Sequence, residues 1–143
     1  RRDSWLNQHK GMPFETMLTL IKSCPEYEWI NLQCDATTEE EAELATAGVT
    51  LYPGTVSSFA DTAALIMNLD VVLSVDTAIA HLAGSLGRPT WIMLQKFGVD
   101  WRWLLNRDDS PWYSTARLFR QPDYDDWTSV TNKVAQYLSW FKV

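Results

Sequence analysis

Apolar residues along this chain switch repeatedly between helical and strand spacing. After Pro13, Phe14, Met17, Leu18 and Ile21 recur every three or four positions and predict a helix ending near Cys24 and Pro25, where proline disfavours its continuation. Glu28 to Gln33, EWINLQ, predicts a strand. Thr37 and Thr38 then offer a cap to an acidic helix, TTEEEAELATAG, that closes at Gly48. Val49 to Tyr52 predicts a short strand, Pro53 and Gly54 a turn, and Phe59 to Asn68 a helix with Phe59, Ala63, Ile66 and Met67 facing inward.

The stretch Leu69 to Pro89, LDVVLSVDTAIAHLAGSLGRP, carries the sharpest change of period. Val71, Val72 and Leu73 form the β-branched run of a parallel strand covered on both faces, and Ser74, Val75 and Asp76 bring the chain to its carboxyl end. Ala78, Leu82, Ala83 and Leu86 then recur at helical spacing, with Thr77 or Asp76 as the cap and Gly87 and Pro89 as the stop. Thr90 to Leu94 predicts a buried strand, Gln95 to about Thr115 a loop, Ala116 to Arg120 a strand, and Trp127 to Phe141 a helix with Val130, Val134, Leu138 and Phe141 inward. Strands alternating with helices imply βαβ units, right-handed crossovers and a largely parallel sheet, so the fold class is α/β. A doubly wound domain normally starts with its central strand, whereas this chain opens on a polar loop and a helix. The sheet is therefore expected to begin one strand late.

Composition narrows the function classes. With 143 residues and 46% hydrophobic content the chain suits one domain with one core. Its net charge of −6 and the absence of any Lys/Arg run leave out the electrostatic footprint of a nucleic-acid binder or a peripheral membrane protein. No apolar run approaches the roughly 20 residues of a membrane span, and no signal-peptide core opens the chain. Two cysteines, Cys24 and Cys34, with no CxxC and no His-Cys cluster, fit a reducing, cytoplasmic setting and argue against a structural zinc site. Five carboxylates fall between Asp35 and Glu43, which reads as a solvated helix face near the positive end of the dipole rather than as a metal site.

Candidate chemistry gathers at the end of the strand that closes on Asp76. Ligands bind open α/β sheets at strand carboxyl ends, where unpaired helix N–H groups favour an anion. Asp76, Thr77 and the small Ala78 sit where a diphosphate would meet the helix, although an ordinary Asp/Thr cap has the same pattern. His81 lies four residues after Thr77 on the same face, in reach of a phosphate or a sugar hydroxyl; a structural histidine satisfied by its neighbours is the competing reading. Lys10, in the polar loop before the first helix, offers a cation for a diphosphate, or is simply a solvated lysine. The loop FGVDWRWLLNRDDSPWY holds three of the eight tryptophans, Trp101, Trp103 and Trp112, any of which can serve core packing or stacking on a base or sugar. No nucleophile elbow, Walker loop, GxGxxG or HExxH occurs.

FADTAALIMNLDVVLSVDTAIAHLAGSLGRPTWIML followed by DWRWLLNRDDSPWYSTARLFRQ resembles the carboxyl-terminal half of glycosyltransferase family 9, which contains the ADP-heptose:lipopolysaccharide heptosyltransferases. The likeness is greater to a bacterial branch with tetratricopeptide repeats upstream, in which DWRWL and DSPWY recur, and it runs from Lys10 onward. The resemblance implies the Rossmann-like, nucleotide-sugar-binding half of a two-domain GT-B enzyme, with residues 1–143 as a single domain of a longer protein. It places Asp76, Thr77, Ala78 and His81 on the donor diphosphate and sugar, Lys10 in the first strand-to-helix loop, and, by position only, Gln33 and Asp35 near the nucleoside. Asp61, in FADTAALI, reads first as a helix cap.

The chemistry so implied is inverting and metal-independent transfer from a nucleoside diphosphate sugar, with no further cofactor, to a glycan or protein acceptor. The acceptor site and general base are expected on the amino-terminal half, so this half alone would bind donor weakly and turn nothing over. In a 3-2-1-4-5-6 strand order the absent first strand would be central, leaving a slot between its neighbours for another segment or another copy, which keeps a homo-oligomer open. Two other functions compete: a non-catalytic scaffold that kept the fold and lost the donor, and a UDP-sugar 2-epimerase-like enzyme, from which DWRWL and DSPWY point away.

Overall fold

The structure is a computed structural model and describes residues 11–141. In chain order its elements are α1 (Phe14–Ser23), α2 (Thr38–Thr46), α3 (Phe59–Met67), β1 (Val72–Val75), α4 (Ala78–Ser85), β2 (Thr90–Leu94), a 3-10 turn (Trp101–Trp103), β3 (Ala116–Arg120) and α5 (Trp127–Trp140). The strands form one parallel sheet in the order β1-β2-β3, with Val72 opposite Thr90 and Thr90 opposite Ala116. This is the α/β arrangement that the alternating pattern predicts, consistent with the Rossmann-like sheet that the resemblance implies.

β2 is buried along its whole length, and its alternating side chains build two layers. Trp91 and Met93 join Leu20 of α1 and Val130, Val134 and Leu138 of α5 on one face of the sheet. Ile92 and Leu94 meet Ala80 of α4, Trp103 and Leu118 on the other. Both faces of the central strand are thus covered, the condition under which a continuous apolar run is stable in a parallel sheet. Leu20, outside the expected stripe of α1, is buried because that helix serves two clusters: Leu18 and Ile21 face Leu44 and Val49, while Leu20 turns towards α5.

Several expectations are corrected. EWINLQ and Val49 to Tyr52 do not form full strands; they meet in one parallel bridge, Ile30 with Thr50, in which Asn31 N–H donates to the Thr50 carbonyl at 3.0 Å and Thr50 N–H to that of Trp29 at 2.8 Å. Among the described residues neither segment has a second neighbour to extend the ladder. Between this bridge and β1 lies a cavity of about 400 Å³, lined by Trp29, Ile30 and Leu32 on one side and Val71, Val72 and Leu73 on the other. Among the described residues this cavity separates the bridged segments from the edge of the sheet.

Helix faces differ in detail as well. On α3, Thr62 and Ile66 are buried, whereas Phe59 is 68% and Met67 50% exposed. Phe59 shares the stripe of Ile66 but sits at the open end of the helix, and Met67 lies about 100° round from Ile66. On α4 the buried positions are Ala80, Ala83 and Gly84, with Leu82 and Leu86 half-buried and Ala78 exposed. Small side chains there let the helix lie close to β1 and β2. α5 ends at Trp140, one residue early, and Phe141 packs edge-on against Trp91 at 5.4 Å between ring centres. Among the described residues no helix is long and apolar enough to cross a membrane.

Candidate functional site

The site forms where β1 ends and α4 begins, at the carboxyl edge of the sheet. Three of the helices close their first turns with side chains: Thr37 and Glu40 on α2 and Ser58 and Asp61 on α3 make reciprocal capping boxes, and Asp126 accepts from Ser129 N–H on α5. Pro13, before α1, has no group to cap with. Thr77 precedes α4 in cap geometry (φ −136°, ψ 174°) yet accepts no hydrogen bond from the helix. Its hydroxyl lies 3.0 Å from that of Ser74, which itself donates to the Val75 carbonyl at 2.8 Å. The first intrahelical donor is Ala80 N–H, bonded to the Thr77 carbonyl at 3.1 Å. No side chain of the helix start accepts from the amides before it, and Thr77 and Ala78 are exposed. The expectation that Thr77 or Asp76 caps this helix is thereby corrected.

Asp76 is engaged elsewhere. Its Oδ2 accepts the backbone N–H of Asp100 at 3.2 Å, and its Oδ1 lies 3.8 Å from His81 Nε2. Asp100 in turn accepts from the Arg102 amide at 2.9 Å and from its guanidinium at 3.0 and 3.2 Å. Burial raises the Asp100 pKa, but the Arg102 amide and guanidinium outweigh that penalty and hold the carboxyl below its ordinary value. Asp61, by contrast, is lowered chiefly by the Ser57 amide and then the Ser58 hydroxyl, and so acts as the cap its position in FADTAALI suggests.

The tryptophan-rich loop folds back over this junction. Trp103 is fully buried, while Trp101 and Trp112 are 61% and 54% exposed and meet edge to face at 4.9 Å. The Arg102 guanidinium lies over both rings, 4.5 Å from the first and 5.4 Å from the second. Buried Ser110 links DWRWL to DSPWY: its hydroxyl donates to the Arg102 carbonyl at 2.9 Å and accepts Trp112 N–H at 3.1 Å. From β3, Arg120 reaches into the loop and donates to the carbonyls of Trp103, Leu104 and Arg107 at 2.5, 3.1 and 2.9 Å. Burial lowers its pKa, as desolvation does for any cation.

His81 is held on two sides. Its ring stacks on Trp103 at 5.2 Å and 18°, and its Nδ1 is 3.1 Å from the Tyr113 hydroxyl. Sequence reasoning named His81 but passed over Tyr113, Asp100 and Arg120, because contacts between residues far apart along the chain leave no periodic trace. The structure brings together Asp76, Thr77, Ala78 and His81. Gln33 and Asp35 are exposed and line the same cavity as Ser74, Val75 and Ile79, so they approach the site from across the slot without touching it. Lys10 lies outside the described residues.

Comparison with known proteins gives one family. Residues 24–93 match the model described as Glycosyltransferase family 9 (heptosyltransferase), a span that holds Gln33, Asp35, Asp76, Thr77, Ala78 and His81 and stops short of the tryptophan-rich loop. No curated protein matches the chain, and no solved structure matches it.

Proposed function

We propose, on the premise that residues 24–93 place this chain in glycosyltransferase family 9, that it forms the donor-binding half of an inverting sugar transferase. The family carries glycosyltransferase activity, which requires a nucleotide-sugar donor and an acceptor. The observation that supports the donor assignment is the uncapped start of α4: the Thr77 hydroxyl and the amides around Ala78 stand open at the strand end, beside the imidazole of His81.

In this reading an acceptor hydroxyl attacks the anomeric carbon from the face opposite the leaving group. The glycosidic C–O bond to phosphate breaks, and the electron pair departs with the nucleoside diphosphate. Charge developing on the leaving oxygen is met by the α4 amides, Thr77, His81 and Lys10, and that assignment involves no metal. The proton of the attacking hydroxyl goes to a general base on the acceptor-binding half. Gln33 and Asp35, across the slot, are the groups nearest to a nucleoside extending that way.

Titration of the chain with ADP, GDP and UDP, followed by amide NMR, tests this. Shifts centred on Thr77, Ala78 and His81 are expected, and the absence of any response to all three diphosphates overturns the reading. In the two-domain protein, transfer with inverted anomeric configuration is expected; an epimerised sugar formed without acceptor would instead identify the epimerase chemistry.

A further inference from the structure

We propose that Tyr113 is the positioning residue of His81, that it holds the imidazole with its proton on Nε2, and that Gly84 is the opening through which it does so. The role rests on His81 belonging to the donor site described above. Tyr113 ends the DSPWY segment, 32 positions from His81, yet its hydroxyl stands 3.1 Å from Nδ1. The ring gets there by lying against α4 at Gly84. A Cβ on Gly84 would be 2.6 Å from Cγ and 2.9 Å from both Cδ atoms of Tyr113, the root of the ring rather than its mobile tip. Any larger residue at this buried helix position displaces the whole phenol and carries its hydroxyl away from His81.

The two aromatic contacts fix different freedoms of the imidazole. Stacking on Trp103, 18° from parallel, sets the plane of the ring, and the Tyr113 hydroxyl sets its rotation within that plane. The tautomer follows from the opposite edge. Nε2 faces the Asp76 carboxylate at 3.8 Å, and a carboxylate is an acceptor only, so the proton is favoured on Nε2. Nδ1 is then a lone pair, and Tyr113 O–H donates to it. Held this way, His81 keeps its N–H on the edge that faces Asp76 at the end of β1. With the proton on Nδ1 instead, a lone pair would face the Asp76 carboxylate and the Tyr113 hydroxyl would lose its acceptor.

The chain contains two histidines, His9 and His81, so ring ¹⁵N NMR is readily assigned with His81→Gln. At about pH 8.5, where an imidazole is neutral, we expect the His81 signal of an Nε2–H tautomer with Nδ1 at the position of a hydrogen-bonded acceptor. Tyr113→Phe removes only the hydroxyl and is expected to move Nδ1 to the position of an unbonded nitrogen; Gly84→Ala is expected to do the same by displacing the ring. Nucleoside diphosphate affinity is expected to fall about 3- to 10-fold in both, the size of one neutral hydrogen bond. A proton on Nδ1 in the unaltered chain, or an Nδ1 signal unmoved in Tyr113→Phe, overturns the proposal. A shifted Nδ1 combined with no response of His81 to ADP, GDP or UDP supports the Tyr113–His81 pairing and overturns the donor-site reading instead.

Discussion

The backbone N–H of Asp100 donates to Oδ2 of Asp76 at 3.2 Å, tying the loop that leaves β2 to the end of β1. One carboxylate thereby joins two crossovers at the carboxyl edge of the sheet. Asp76→Ala removes an acceptor for a backbone donor and should cost about 1.5–3 kcal/mol, the range for a hydrogen bond to a charged group. Asp76→Asn keeps an oxygen in place and should cost less. Urea midpoints of the two variants test this ordering, and equal midpoints would contradict it.

Thr77 and Ser58 occupy the same position on successive helices but do different work. Ser58→Ala breaks a capping box and should cost about 1 kcal/mol of stability. Thr77→Ala removes a hydroxyl that caps nothing, so its stability loss should be smaller while nucleoside diphosphate binding weakens. The opposite outcome, a destabilised Thr77→Ala with intact binding, would return Thr77 to the role of a plain cap.

Acid should loosen the tryptophan loop. The Asp100 pKa is lowered in the folded chain, where burial is outweighed by the Arg102 amide and guanidinium. A depressed folded pKa means that the stabilisation is complete above the unfolded value and disappears as pH falls through the folded one, a window that opens below about pH 4. Trp101 and Trp112 flank Arg102, so their fluorescence should respond in that window. In Asp100→Asn the acid response should vanish; if it persists unchanged, the Asp100–Arg102 pair is not its source.

Ile92, fully buried at the centre of the sheet, belongs to the same cluster as Trp103, the ring on which His81 stacks. Ile92→Ala should cost about 2–5 kcal/mol and Ile92→Val about 0.5–1.5. The larger cavity should also disturb Trp103, so the His81 ring signals should shift in Ile92→Ala and hardly at all in Ile92→Val. Stability loss without any effect on His81 would show that the core and the site are mechanically separate.

Much of the secondary structure was legible because its signals are local. Capping residues such as Thr37 and Asp61, the helical stripes of Val130, Val134 and Leu138, and the apolar run Thr90 to Leu94 act within a turn or a strand of their own position, and the elements appear where those residues place them. EWINLQ was legible only as a tendency, because a strand requires a partner along its length and the pairing here stops at the single bridge between Ile30 and Thr50. Phe59 and Met67 misled for a related reason: amphipathic spacing marks a face but not whether anything covers it.

For the candidate site, the sequence by itself determined which groups stand together at a strand-to-helix junction, Asp76, Thr77, Ala78 and His81, since that depends on spacing along one segment. Only the tertiary structure decided that Thr77 leaves its helix uncapped, that Trp103 is buried while Trp101 and Trp112 are exposed, and that Tyr113 reaches His81 over a glycine. Those outcomes depend on which distant residues fill the same space. Gly84 reads in sequence as a weak point in a helix, and it takes the phenol lying against it to show why a side chain cannot be there.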